Sequence, residues 1–296
     1  MTAGKKRSAS ADLRYEAWLR FRRNRLALAG LVMALSVILA AVFAPVLAPY
    51  DPLKQLIWTQ GREVRLAAPS AAHLLGTDLF GRDILSRILY GARISLQIGI
   101  FATIVSLLVG VPLGALAGYF GGFADDAISW LINVIFAFPF FLFIIAVVAV
   151  LQNPSMTVIY LAIGLVNWVG VARITRAQFI SLREREFVEA ARALGLPTWR
   201  IIFVHILPNA LAPVIVQATM GIGGIIMIEA GLAFLGFGAQ PPAPSWGLMI
   251  SDGQKYLAVG KWWWAIFPGL AITYTVLAFN FLGDGLRDAL DARLKR

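Results

Sequence analysis

Cysteine is absent from this chain, histidine occurs twice, and charged residues make up only 14% of its 296 positions. Without cysteine there is no disulfide, no thiol nucleophile and no thiolate metal site, so the redox state of a compartment leaves no mark on the sequence. The scarcity of charge says more. Soluble domains carry about 25% charged residues, whereas here 59% of residues are hydrophobic and the mean hydropathy is +0.76. Too little polar surface is present to cover a soluble globule, which places the chain in a membrane. Hydrolytic and nucleotide-binding signatures are missing too: there is no His-Glu-X-X-His and no Gly-X-Ser-X-Gly. Neither Gly4-Lys5 nor Gly260-Lys261 has the glycine pattern or the following Ser or Thr of a phosphate loop. The formal charge of +10 does not signal nucleic acid, because Lys and Arg are spread over the ends and loops of apolar runs. Orientation in a bilayer and contact with lipid headgroups account for it.

What is present is a series of apolar runs near the 20 residues needed to cross a bilayer. They lie at Leu26 to Ala48, Ile94 to Ala117, Ile128 to Leu151, Met156 to Ile174, Ala210 to Phe234 and Trp263 to Leu282. The expected fold is therefore an all-α polytopic membrane protein with about six transmembrane helices. An even number of spans puts both termini on one side. Roughly 18 of the 26 Lys and Arg sit in the amino end, the Arg173 to Arg200 loop and the carboxyl tail, so these are predicted to be cytosolic. The connection from Tyr50 to Arg93 runs against this count, since it carries Lys54, Arg62, Arg65, Arg82, Arg87 and Arg93 yet must lie outside. His73 then lies outside and His205 inside, so the two cannot share a metal. The basic amino end runs into an apolar stretch too long for a signal-peptide core, which predicts a first span that stays.

The expected organisation is a tail and interfacial amphipathic helix over 1–25, with Met1 to Ala9 disordered, and a first span over 26–48. An extracytoplasmic loop follows over 49–93, its stripe Ile84, Leu85, Ile88 and Leu89 forming a surface helix. A five-helix core occupies 94–282 and includes a cytosolic loop over 175–209; 283–296 is a cytosolic tail. Ala102, Ser106, Gly110, Gly114 and Gly118 place a small residue at every fourth position of the second span, which permits close helix approach either within the chain or against a second subunit. Gly221, Gly223, Gly224 and Gly231 in the fifth span admit the same two readings, or local bending. Pro139 and Pro268 are expected to kink their helices. Glu229 is the one carboxylate well inside a predicted span. It either lines a water-filled pathway, binds a proton, or is hydrogen-bonded to a neighbouring helix near an external gate. Asn133 and Gln217 are further candidates for a pathway, with Gln97, Asn167 and Asn280 among the scattered polar residues of the spans.

The charged break between the fourth and fifth spans carries the strongest pattern: Glu189-Ala190-Ala191-Arg192, Gly195, Trp199, Ile202-Phe203, His205 and Leu207-Pro208. Strong helix formers up to Ala193, then Gly195 and Pro197, predict helix, tight turn, helix. The second helix, roughly Thr198 to Ile206, would group Trp199, Ile202, Phe203 and Ile206 on one apolar face that needs a partner. This stretch resembles the EAA loop of binding-protein-dependent ABC importer permeases, with His205 standing where the motif has isoleucine. Leu75-Gly76-Thr77-Asp78, Gly81-Arg82-Asp83, Ser86-Arg87 and Tyr90-Gly91-Ala92-Arg93 are similar to the entry of the second span in the dipeptide, oligopeptide and nickel branch. Phe234 to Gly247 and Gly283 to Asp291 resemble the same branch, so the likeness covers nearly the whole chain.

The resemblance implies a type I ABC importer permease fold in a bacterial inner membrane, and a non-catalytic subunit. Its implied partners are a second, related permease, two cytosolic ATPases that bind ATP and Mg in its place, and an extracytoplasmic solute-binding protein. The implied cargo is a dipeptide or oligopeptide, with nickel chelates, glutathione or another small solute as alternatives. By the same resemblance Glu189 would hold the loop through hydrogen bonds or an ion pair, Ala190 and Ala191 would permit close approach, and Gly195 would allow the turn. Trp199, Ile202 and Phe203 would fill an ATPase groove. Two other classes stay open from the residues alone: a proton-coupled carrier using Glu229, and a non-transporting scaffold.

Overall fold

A computed structural model describes residues 9–151 and 155–290. The disorder expected at the amino end falls, over 1–8, outside the described residues, as does 291–296; Ala9 already opens the first helix. The principal helices are α1 (Ala9–Arg23), α2 (Arg25–Val42), α3 (Ile84–Phe120), α4 (Gly122–Ala137), α5 (Phe140–Leu151), α6 (Met156–Arg183), α7 (Glu186–Ala193), α8 (Leu207–Phe234), α9 (Trp246–Gly253) and α10 (Trp263–Leu290). Among the described residues five helices are long and apolar enough to cross a membrane, and six crossings result if the bent pair α4 and α5 counts as one.

Several boundaries differ from the sequence reading, each for a local reason. The first span ends at Val42 rather than Ala48: Phe43 breaks it, and a short turn Ala44–Leu47 follows with Pro45 in its first turn, where a missing N–H costs nothing. The third span is not one kinked helix. Phe138 takes an extended conformation (ψ 139°) before Pro139, as the proline ring demands of its predecessor, and the chain turns by 91° between α4 and α5. Pro268 by contrast lies inside a continuous α10. That helix also runs through Gly283 to Leu290, so the first part of the expected tail extends the sixth span.

The expected surface helix over Ile84 to Leu89 is instead the first two turns of α3, a helix of 37 residues and about 55 Å. It is buried, not superficial: Ile84, Ser86 and Arg87 are almost inaccessible. Asp83 caps α3, accepting from the Ser86 N–H (2.8 Å) and hydroxyl (2.7 Å), and pairs with His73 Nδ1 at 3.0 Å. Asp78 accepts from the Arg82 backbone N–H at 2.9 Å and Nε at 2.6 Å, and stands 3.8 Å from Arg87 Nε. The Trp263 indole reaches the Thr77 carbonyl (3.2 Å) and that of Trp246 the Ile88 carbonyl (2.9 Å). The Gly-Thr-Asp and Gly-Arg-Asp blocks are thus a structural knot tying the long loop to three helices. Two of the six positive charges that ran against the orientation count, Arg82 and Arg87, share Asp78 inside it.

The small-residue stripe of α3 packs within the chain, on α6. A Cβ added at Gly110, Gly114 or Gly118 would meet the Trp168, Ala172 or Arg176 carbonyl at 2.4–2.6 Å, and the Ser106 hydroxyl donates to Gly164 at 3.0 Å. Backbone contact this close is how membrane helices gain van der Waals energy without a hydrophobic drive. α2 lies on α10, with Gly30 against Leu282 and Gly285 against Ala27. Asn24 fastens the entry to this pair: its side chain caps α2 by accepting from Leu26 and Ala27 and donates to Asp288 at 2.9 Å.

Candidate functional site

At the end of the bundle where α3 and α6 finish, α7 presents Val188 and Ala191 inward and Glu189, Ala190 and Arg192 outward. It stops at Gly195, whose φ of +70° is open to glycine without strain. The Leu196 N–H returns to the Ala191 carbonyl (3.2 Å) and the Gly195 N–H to that of Arg192 (2.9 Å), the paired closure of a Schellman turn. Pro197 (φ −66°, ψ 145°) then opens the next helix at Thr198. The turn that Gly195 and Pro197 predict is present.

The second arm of this hairpin is not a separate short helix. Thr198–Arg200 continues through a widened, π-helical turn over Ile201–Ile206 into α8, giving 37 uninterrupted residues from Thr198 to Phe234. Pro208 has no N–H to give the Val204 carbonyl, and the Leu207 N–H bonds five residues back to Ile202. One extra residue per turn absorbs the proline without breaking the rod. This widening also divides the expected apolar face. Ile202 (9% exposed) and Ile206 turn inward with Ile201, packing with Phe179, Val188, Ala191 and Ala115. Trp199 (62% exposed) and Phe203 (61%) point outward, beside Leu194 (79%) at the tip. Ile202 therefore belongs to the support of the knuckle and not to its contact surface.

The Glu189 side chain makes no hydrogen bond or ion pair within the described residues, contrary to the holding role expected of it. Other groups brace the hairpin, and of these side chains only Arg192 belongs to the pattern read from sequence. Arg183 Nη1 donates to the Gly118 carbonyl at 3.0 Å, and Arg176 forms a two-pronged ion pair with Asp125, with Nη2 to Oδ2 at 2.6 Å. Arg192 lies 5.8 Å from the centre of the Tyr119 ring. Partners 51 and 65 positions apart carry no periodic signal, which is why pattern reading missed them. His205 is half-buried and its carbonyl accepts from the Asn209 side chain at 2.7 Å; Leu207 and Pro208 form the join to α8.

The three pathway candidates do not converge. Gln217 lines a cavity of about 290 Å³ between α3, α6 and α8, with Thr103, Ser106, Asn167, Gly221 and Gly224. Nothing lies within 4 Å of a Cβ placed at Gly221 or Gly224, so their backbone faces open space. Asn133 sits elsewhere, its Oδ1 accepting from Arg173 Nη2 at 3.2 Å. Glu229 is fully buried and outside that cavity, and neither carboxylate oxygen has a hydrogen-bond partner. The expected bond to a neighbouring helix is absent; Ser245 stands beside it without bonding geometry. Asn167, missed as a site residue because one amide in an apolar run looks incidental, is the neighbour that Gln217 does have.

An all-helical membrane bundle with a polar cavity between its spans, and an apolar knuckle continuous with one of them, defines a membrane component of a transport system. Residues 110–296 match the family described as binding-protein-dependent transport system inner membrane component, and residues 13–69 match the N-terminal transmembrane domain of oligopeptide transport permease C. The chain belongs to this family of binding-protein-dependent permeases, and is a multi-pass inner membrane protein. Relatives include a dipeptide transport system permease protein of Alkalihalophilus pseudofirmus, 48% identical over 95% of this chain and 90% of the relative. A glutathione transport system permease protein of Pectobacterium atrosepticum is 44% identical (95% and 91%). An oligopeptide transport system permease protein of Haemophilus influenzae is 40% identical (94% and 88%). Among solved structures, an inward-facing MetNI methionine ABC transporter superposes with a TM-score of 0.51 at 19% identity, over 69% of this chain and 96% of that one, and supports the ABC importer permease fold. Family membership does not favour the proton-coupled carrier or the scaffold.

Proposed function

We propose that the chain is one of two permease halves of an ATP-driven importer that carries peptides into the cytosol by alternating access. Its partners are a related second permease, two cytosolic ATPases holding ATP and Mg, and an extracytoplasmic solute-binding protein. The termini and the Glu186 to Pro208 hairpin face the cytosol in this reading. The observation that carries it is the unbroken helix from Thr198 to Phe234: its first turns present Trp199 and Phe203 to a partner, and about 27 Å further on it supplies Gln217 to the cavity. A displacement at the knuckle is then a displacement of the pathway wall, since packed helices shift as units. Leu194, Trp199 and Phe203 fill the ATPase groove, Glu189 and the exposed Arg192 beside Tyr119 pair with it, and Ile202 keeps the hairpin seated on Phe179. The substrate class follows the dipeptide, oligopeptide and glutathione relatives, all of which carry peptides.

Reconstitution of the chain with its second permease, ATPases and binding protein in proteoliposomes tests this. ATP should drive peptide uptake, and Glu189→Lys or Gly195→Asp should leave the ATPases turning over while uptake falls. Normal uptake by both variants refutes the lever, and uptake driven by a proton gradient without ATPase refutes the whole reading.

A further inference from the structure

Another opening, larger than the one Gln217 lines, lies at the opposite end of α3 from the hairpin. A cavity of about 850 Å³ is bounded by the loop after α2, the first turns of α3 and the loop between α8 and α9. Asp51, Tyr90, Arg93, Gln97, Gln240 and Pro244 are among its lining residues. Arg93 is the informative one. Arg82 bonds Asp78, and Arg87 is buried 3.8 Å from the same carboxylate; Arg93 is exposed, has no carboxylate within ion-pair distance among the described residues, and has the Tyr90 ring 6.0 Å away at its centroid. Gln97 follows one helical turn deeper, on the same face of α3, and Gln240 faces the cavity from the other loop. Asp51 has its Oδ1 engaged by the Leu53 N–H at 2.8 Å and keeps its other oxygen open.

We propose that this cavity receives the carboxylate end of the solute as it leaves the binding protein, with Arg93 as the anion-binding group. The inference rests on the peptide-importer reading above and names the chemistry of its entry site. A guanidinium offers two parallel donors that match a carboxylate. Gln97 can both donate and accept, as an amide backbone requires; Gln240, whose Nε2 already donates to the Gly236 (3.3 Å) and Gly238 (3.0 Å) carbonyls, offers its oxygen as an acceptor; and Asp51 complements an ammonium. A zwitterionic, amide-bearing solute satisfies all four; a bare metal ion does not, because Arg93 would repel it.

The test uses the complete complex in proteoliposomes, with a free-carboxylate dipeptide and loaded binding protein at saturation, so that the binding protein's own affinity drops out. Arg93→Gln should lower the saturating uptake roughly tenfold, the value of one charge-assisted pair near a surface, and Arg93→Lys, which keeps the charge but loses the paired donors, should recover only part of it. The concentration of binding protein that half-maximally stimulates the ATPases should stay unchanged. Undiminished uptake by Arg93→Gln overturns the proposal. A loss accompanied by weaker docking of the binding protein also overturns it, by assigning Arg93 to an acidic side chain of that protein. A loss that appears only in liposomes with anionic lipid overturns it in favour of a lipid phosphate. A wild-type complex that imports no peptide defeats the parent reading instead, whereas a competent wild type indifferent to Arg93→Gln defeats this one alone.

Discussion

Trp199→Ala and Ile202→Ala separate docking from support on the first turns of the helix from Thr198 to Phe234. A Trp side chain offers about 200 Å² of surface, and with 62% of Trp199 accessible about 120 Å² is available to a partner. At about 25 cal/mol per Å² its burial is worth about 3 kcal/mol, or about a hundredfold in affinity at 1.4 kcal/mol per tenfold. Since little of the indole packs internally, Trp199→Ala should leave insertion and thermal stability close to wild type. Ile202 has the opposite profile: it is 9% exposed and packs in the Phe179 cluster, so Ile202→Ala opens a cavity costing about 2–4 kcal/mol of local stability. The assay is ATPase affinity for the permease in nanodiscs, measured beside the melting of the detergent-solubilised permease. Trp199→Ala should weaken ATPase binding by one to two orders of magnitude without lowering the melting temperature, and Ile202→Ala should lower the melting temperature. If Trp199→Ala binds ATPase as tightly as wild type, the knuckle is not the docking surface. If both variants behave alike, the inward and outward division of this helix is wrong.

Gly114→Val should separate α3 from α6, because a Cβ there meets the Ala172 carbonyl at 2.4 Å; overpacking of this kind costs about 1–3 kcal/mol, read as loss of the assembled complex on gel filtration. A wild-type yield would show that the two helices are not in backbone contact. Glu229→Gln should change stability by less than about 1 kcal/mol, since neither carboxylate oxygen has a hydrogen bond to lose, and ATP-driven uptake should persist. Abolished uptake with ATP turnover intact would instead give Glu229 a direct part in transport.

The spans, the hairpin turn and the family likeness were legible in the sequence because each depends on residues close together in the chain. Runs of about 20 apolar residues cross a bilayer whatever their neighbours do; Gly195 takes a left-handed turn because of its own missing side chain. Helix continuity was not legible. The Ile84 to Leu89 stripe looked like a surface helix because charge beside an apolar stripe suggests exposure, whereas in the structure it is the buried start of α3, with Arg87 turned towards Asp78, nine positions away. The short helix over Thr198 to Ile206 was expected to be separate from the fifth span, yet a widened turn carries it past Pro208 into that span.

Membrane residence, the all-helical class and the position of the Glu186 to Pro208 hairpin were determined by sequence alone, through hydropathy and local backbone preference. Which side of a helix faces inward, which charges are neutralised and which cavities hold the remaining polar groups were decided only by tertiary packing. Ile202 and Trp199 share one sequence pattern but divide between core and surface; Gln217 gains Asn167 while Asn133 and Glu229 stand apart. The physical reason is that periodicity defines a face without naming what lies against it. Burial and charge compensation depend on residues dozens of positions distant, brought into contact by the close approach of α3, α6 and α8.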